Sequence, residues 1–438
     1  MPTNNNPELP AALLVTPITP ATGGNGLAMR AGLLLEALQR DHRVQVWRVP
    51  TAGGDEGAGQ IVAPLEVDPG WALAQRAGPQ ARRRLGRPEL CRFATHRAVR
   101  ELQQAIDGVS FQTTLVFRSY LLPFVMPLGR KGGKIGPSDL GLRVVDLDDD
   151  ETATRQRLAA LLHAAGDSQG AQREALEAEL FQSFEDQHLA WAHLLLSAQR
   201  EHSRGLRTRF ESQRAEDLRV DVLPNAIDTQ AWGRLEPTVR SPPEPLRLLL
   251  VGNLGYAPNQ AAAQELVGDL LPALRARGHE VEIRIVGRHP PRGLLELGDR
   301  TGVTVWPNAP DLEPHYAWAD QVVLPLRAGG GTRIKILEAF AAGVPVVSTR
   351  LGAEGLEVTS GEQLLLAESA DELAEASSRL AGNPGQSQRL LAAARLWVRR
   401  HHDRRTIADR LADRLADRLA DRLAERLQAR ASASGSGV

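Results

Sequence analysis

Residues 322–356 read VVLPLRAGGGTRIKILEAFAAGVPVVSTRLGAEGL. The short apolar run 322–324 ends at Pro325, and a triple glycine, Gly329, Gly330 and Gly331, follows. A helical pattern is predicted from about Thr332 to Ala342, stopped by Gly343, with the next strand beginning at Val344. Three glycines let a backbone approach a ligand closely and expose its N–H groups. The helix start adds a positive dipole end suited to a phosphate. Arg333 and Lys335 place two cations in the first turn, and Glu338, a turn deeper, can accept hydrogen bonds from hydroxyls. Together these describe a nucleotide-diphosphate pocket at the carboxyl end of a parallel strand. An ordinary tight strand–helix turn with surface charges is the plainer alternative, and the whole string argues against it.

Outward from this stretch the same alternation continues. Apolar strand candidates fall at 12–15, 43–47, 114–117, 142–146, 193–196 and 219–223, then at 246–251, 281–286, 303–306, 321–325, 344–348 and 363–366. Unbroken apolar strands separated by helical patterns predict parallel sheets covered on both faces. The expected fold class is α/β, with two Rossmann-like doubly wound domains. The expected organisation is an N-terminal domain over 1–235, a linker over 236–245 (EPTVRSPPEP), a second domain over 246–385, and a tail over 403–438. An amphipathic helix at 386–400 is expected to cross back onto the first domain. In the tail the tetrad A-D-R-L recurs from Ala408, with leucines at 411, 415, 419, 423 and 427. A period of four overshoots the helical repeat, so the leucine stripe turns by about 40° per step. The tail is read as a solvated helix with a flexible end at 431–438; self-association through it is the sharper alternative.

Composition excludes several classes. With 438 residues, 52 basic and 53 acidic side chains, the chain lacks the basic excess of a nucleic-acid binder. Its one cysteine, Cys91, permits neither an internal disulfide nor a cysteine metal cluster, which fits a reducing cytoplasm. No apolar run reaches the roughly 18 residues of a membrane span. Arg82, Arg83, Arg84, Arg87, Arg92, Arg97 and Arg100 form a basic region. It is read as a solvated face, with peripheral contact to anionic lipid as the alternative.

The stretch 322–356 closely resembles the donor-site motif of the group 1 glycosyltransferases, glycosyltransferase family 4, with the GT-B fold. Residues 17–30 (PITPATGGNGLAMR), 223–228 (LPNAID), 251–259 (VGNLGYAPN) and 286–290 (VGRHP) resemble further family signatures in the expected order. The resemblance spans about residues 11–400. It implies two Rossmann-like domains with a deep cleft, a nucleotide-sugar donor on the second and an acceptor on the first. It also implies retaining chemistry by front-face attack, with neither metal nor cofactor beyond the donor. In the family's glutamate–seven residues–glutamate motif, Glu338 corresponds to the second, ribose-binding acid. The first, which contacts the donor sugar, falls at Gly330. Relatives often hold the diphosphate with an arginine and a lysine after the first donor-domain strand, whereas this chain has Asn253 to Asn259 without a cation. Arg333 and Lys335, with Arg288, are expected to supply that charge. The donor set is thus Asn253, Arg288, Gly329, Gly330, Gly331, Thr332, Arg333, Lys335 and Glu338.

In the first half, Gly23, Gly24, Asn25 and Gly26 form the expected acceptor loop, with Arg30 one turn into the next helix facing cleft or solvent. The run 146–151 (DLDDDE) follows a strand. Asp148 or Asp149 is expected to orient the acceptor hydroxyl or the donor sugar; together with Arg333 and Lys335 these are the catalytic candidates. Helix capping by Asp148–Asp150, or a DxD metal site, are the alternatives. His401 and His402 are read as structural or incidental, since two adjacent histidines do not make a metal site. The expected activity is transfer of a sugar to a saccharide, lipid-linked or small-molecule hydroxyl. The rivals are a nucleotide-sugar epimerase of the same fold and a non-catalytic binding protein.

Overall fold

In the computed structural model, which describes residues 8–51, 60–63, 66–129, 140–211, 217–233, 245–331 and 333–435, the apolar runs form two wholly parallel sheets. The first contains β1 (Ala11–Thr16), β2 (Arg43–Arg48), β3 (Gln60–Val62), β4 (Phe111–Phe117), β5 (Leu142–Asp148), β6 (Leu194–Ser197) and β7 (Arg219–Val222), in the order β3-β2-β1-β4-β5-β6-β7. The second contains β8 (Leu246–Asn253), β9 (Val281–Arg288), β10 (Val303–Pro307), β11 (Gln321–Leu324), β12 (Val346–Ser348) and β13 (Leu365–Leu366), in the order β10-β9-β8-β11-β12-β13. Each reverses direction of growth beside its first strand, at β1/β4 and β8/β11, which is the doubly wound pattern. β1 and β11 are buried along their whole length, as strands covered on both faces must be. β3 was not anticipated: it is a three-residue edge strand with too short an apolar run to register.

The chain divides into two units, and the division corrects the expected boundaries. Unit one comprises Met1–Asp148, Glu179–Leu223 and the chain from Arg405; unit two comprises Asp149–Ala178 and Pro224–Arg404. Residues 149–178 therefore leave the first domain, because the helix Glu151–Ala164 makes its polar attachments to second-unit loops: Arg157 pairs with both carboxylate oxygens of Glu354, at 2.5 and 2.6 Å. Residues 224–233 leave it as well. Thr229 Oγ1 donates to Asp403, the buried ring of His402 donates to the Asn225 carbonyl, and Trp232 meets Tyr316 edge-on at 5.1 Å. This gives the LPNAID signature and His402 structural work. The linker 236–245 lies, apart from Pro245, outside the described residues.

The helix Pro384–His401 does not join the first unit. It packs on the helix Ile334–Ala342, with Trp397 edge-on to Phe340 at 6.0 Å and Arg395 donating to the Ala342 carbonyl. The segment that joins unit one is the tail, where one helix runs Arg404–Gly435 and takes in five residues of the expected flexible end. Its first turns are docked rather than solvated: Ile407, Ala408, Leu411 and Ala412 are buried. Arg414 donates to the Val222 carbonyl of the edge strand β7, and Arg418 to the carbonyl of Asp217 just before it. The stripe then rotates off this seat: Leu411 is 0% exposed, Leu415 2% and Leu423 51%.

Candidate functional site

The loops after β8 and β11 lie at the switch point of the second sheet, where α/β sheets bind ligands. Backbone crowding shapes the place. A Cβ on Gly287 would lie 1.7 Å from the Gly252 carbonyl oxygen, and one on Gly252 would strike the Asn259 side chain. The two glycines are paired in register across β8 and β9: Gly287 makes room for the Gly252 backbone, and Gly252 for Asn259 at the strand ends. Asn259 donates to the Asn253 carbonyl (2.8 Å) and accepts from Lys335 Nζ (2.8 Å). Among the described residues, the non-glycine residues with left-handed φ are Arg118, Asp148, His289 and Asn308; all sit at or one residue past the carboxyl end of a strand. Strained backbone concentrates where sites are built.

The helix begins at Ile334, two residues later than expected. Arg333 is its N-cap, and Gly343, at φ 79°, closes it. Arg333 is 7% exposed and Glu338 4%, so both lie inside the second unit. The Arg333 guanidinium donates to the carbonyls of Gly329, Gly330 and Leu351, so it braces the glycine loop from within. Burial lowers its pKa against the pull of the Asp149 and Glu354 carboxylates. Glu338 accepts from Tyr316 Oη at 2.9 Å; burial pushes its carboxyl up to about 7, against the Tyr316 bond and the Lys335 charge. Lys335 is lowered to about 7 by desolvation and by the neighbouring Arg333 charge. Arg288 is exposed at the end of β9, in register with the exposed Asn253, whose side chain accepts from Gly255 N–H. Thr332 lies outside the described residues.

The aspartates of 146–150 have separate occupations. Asp146 is fully buried and forked by Arg30 through two bonds of 2.8 Å. Arg30, expected to face cleft or solvent, is 1% exposed and also donates to the Leu223 carbonyl. Burial opposes its charge, but Asp146 and Asp148 outweigh that and raise its pKa. Asp148, in the left-handed region at φ 58°, is held by Arg30 at 3.4 Å and Arg118 at 3.5 Å. Asp150 caps the helix Glu151–Ala164, and Asp149 lies against Gly330. Asp146 is locked to Arg30 and Asp150 caps a helix, so each D-x-D pair of the run has a member already engaged within the protein. Among the described residues, no group of three or more His, Cys, Asp or Glu is placed to hold a metal ion.

In the acceptor loop, Gly24 needs its φ of 92°, and Asn25 serves as N-cap, accepting from Leu27 and Ala28 N–H. A Cβ on Gly23 would meet nothing within 4 Å, and Gly26 opens the helix. Of the basic region, Arg83, Arg92 and Arg97 pair with acids, as on a solvated face, and Arg82 stacks over Trp71. Sequence reasoning missed Tyr316, Arg118, Asp146, Thr154, Arg157 and Glu354. Asp146 had a local signal, its alternation with Asp148 on one strand face; the others had none.

Two doubly wound sheets, with a glycine loop and a buried acid at a switch point, are the architecture of the GT-B class. Residues 245–383 match the family described as glycosyl transferases group 1. Among curated proteins the chain is similar to a GDP-mannose-dependent alpha-(1-6)-phosphatidylinositol monomannoside mannosyltransferase of Mycolicibacterium smegmatis. The two are 29% identical over 232 residues, 48% of this chain, and the match spans only 59% of that relative's length. Among solved structures it shares its fold with sucrose-phosphate synthase from Thermosynechococcus elongatus (TM-score 0.64, 16% identity, 94% of this chain and 100% of that one). It shares it also with HepE of Anabaena in complex with UDP-glucose (TM-score 0.59, 16% identity, 93% and 100%). No helix among the described residues is long and apolar enough to cross a membrane.

Proposed function

We propose that this chain transfers a sugar from a nucleotide-diphosphate sugar to a hydroxyl of a saccharide or lipid-linked acceptor, with retention and without a metal or cofactor. The observation that carries this reading is the buried Glu338, held by Tyr316 one turn behind the glycine loop, with Lys335 beside it. In this reading Glu338 accepts from the ribose hydroxyls. Lys335, the exposed Arg288, the loop N–H groups and the helix N-terminus take the diphosphate. Arg333 holds the loop in shape. The bond from the anomeric carbon to the distal phosphate oxygen breaks, and its electrons pass to the diphosphate. The acceptor oxygen attacks from the same face, and its proton passes to the departing phosphate oxygen. Asp148, fixed by Arg30 and Arg118, orients the acceptor hydroxyl.

A thermal-shift panel of UDP, GDP and ADP sugars is expected to raise the melting temperature with one base, since a ligand of the native state alone stabilises it. Labelled transfer from that donor should then give a product with the donor's anomeric configuration. A flat panel, or a new epimer from donor alone, would overturn the reading.

Lys335 adds a pH signature. Its free-protein pKa of about 7 leaves it mostly neutral at pH 8. A bound diphosphate favours the charged form, so binding at pH 8 should take up about one proton, read from calorimetry in buffers of different ionisation enthalpy. Affinity should fall as pH rises above 7, and Lys335→Met should abolish the uptake.

A further inference from the structure

We infer that Asp149 supplies the carboxylate that reads the donor's sugar hydroxyls, standing in the space a side chain at position 330 would otherwise fill. The inference rests on the nucleotide-sugar reading above and deepens it. A Cβ built on Gly330 would lie 1.8 Å from Thr154 Oγ1 and 2.4 and 2.7 Å from the two Asp149 carboxylate oxygens. A side chain at 330 would have to displace the Asp149 and Thr154 side chains, whereas glycine leaves both in place. An acid from another element stands over the loop.

That acid is held in place. Thr154 Oγ1 donates to Asp149 Oδ2 at 3.1 Å. Arg157, three residues further on, donates to the Gly329 carbonyl at 3.3 Å and grips Glu354 with both arms. Asp150, not Asp149, caps the helix, accepting from Ala153 N–H at 2.9 Å. Asp149 is half-buried and lies 3.5 Å from the Cβ position of Gly331. Its oxygens therefore stand at the rim of the glycine loop.

Chemistry decides which part of the donor it meets. A carboxylate repels a diphosphate, so it does not serve the charged half of the ligand. Neighbouring sugar hydroxyls are neutral donors, and each can give a charge-assisted hydrogen bond to a carboxylate oxygen. The sugar is joined directly to the distal phosphate, so it lies at the rim once the phosphates occupy the loop. Asp149 is thus a specificity-determining residue for the sugar, with Gly330 and Thr154 as its seat.

Calorimetry of the full chain with Asp149→Ala and Asp149→Asn tests this, using UDP against UDP-glucose, GDP against GDP-mannose and ADP against ADP-glucose. With whichever pair the wild type binds, Asp149→Ala should weaken the nucleotide sugar by about tenfold or more, the scale of losing hydrogen bonds to a charged group. Affinity for the free nucleoside diphosphate should stay within about threefold, which also serves as the folding control. Asp149→Asn should fall in between. Equal weakening of both ligands, no change in either, or tighter binding of both would overturn the inference. If the wild type binds none of the six, the nucleotide-sugar reading itself falls, and this inference with it.

Discussion

Replacing Arg30 by alanine is expected to destabilise the protein by about 3–5 kcal/mol, the scale of breaking a buried ion pair from one side. Both partners are buried and joined by two bonds of 2.8 Å. Without the guanidinium, the Asp146 carboxylate stays in the core with one backbone donor, Asp148 N–H, and the Leu223 carbonyl loses a bond. At about 2–4 °C per kcal/mol for a unit of this size, melting should fall by roughly 6–20 °C. Denaturant unfolding with an unchanged m-value would attribute the loss to the native state. A double variant, Arg30→Met with Asp146→Leu, should recover most of it, because an apolar pair removes the desolvation cost from both sides. Arg30→Ala within about 1 kcal/mol of wild type would show that the pair contributes no net stability. Arg30→Lys keeps charge but not the two-pronged grip that positions Asp146 and Asp148. Its activity should drop in kcat with the donor KM little changed, since the proposed donor residues belong to the other unit.

Glu338→Ala is expected to weaken nucleotide-sugar and free nucleotide binding alike by about 10- to 100-fold, as loss of about 1.5–3 kcal/mol of charge-assisted bonding would. The equal effect on both ligands separates this acid from Asp149. The same residue sets a pH trend. Its carboxyl is raised from 4.5 to about 7 in the folded protein. Between these values the native state holds the proton that the unfolded chain has released, so Glu338 makes stability fall as pH rises from 4.5 to 7. Lys335 acts oppositely: lowered from 10.5 to about 7, it is neutral in the fold while the unfolded chain is charged, so stability rises with pH across that window. Glu338→Gln should flatten the acid-side slope while still impairing binding. An unaltered stability–pH curve would show that the carboxyl titrates normally.

What could be read in the sequence was local. Strand, glycine loop, helix and closing Gly343 lie within one continuous stretch, so composition and spacing are enough to place Arg333, Lys335 and Glu338. What escaped joins distant segments. Arg30 meets Asp146 at a separation of 116 residues, and Arg157 meets Glu354 at 197. No period or propensity announces such pairings. Residues 149–178 look from sequence like any stretch of the first domain, and only tertiary attachment moves them to the second unit. Arg333 shows the intermediate case: its position was legible, but its hold on three loop carbonyls was not.

The A-D-R-L tetrads have a genetic consequence. Because neighbouring units are alike, an in-frame loss or gain of one tetrad anywhere in the array keeps leucine at 411 and 415 and arginine at 414 and 418, the last two bonded to the Val222 and Asp217 carbonyls, and changes the helix at its far end. Leu423 there already faces solvent. Truncation beyond Arg418 is therefore expected to leave the melting temperature unchanged, whereas truncation before Arg414 removes both bonds and should lower it.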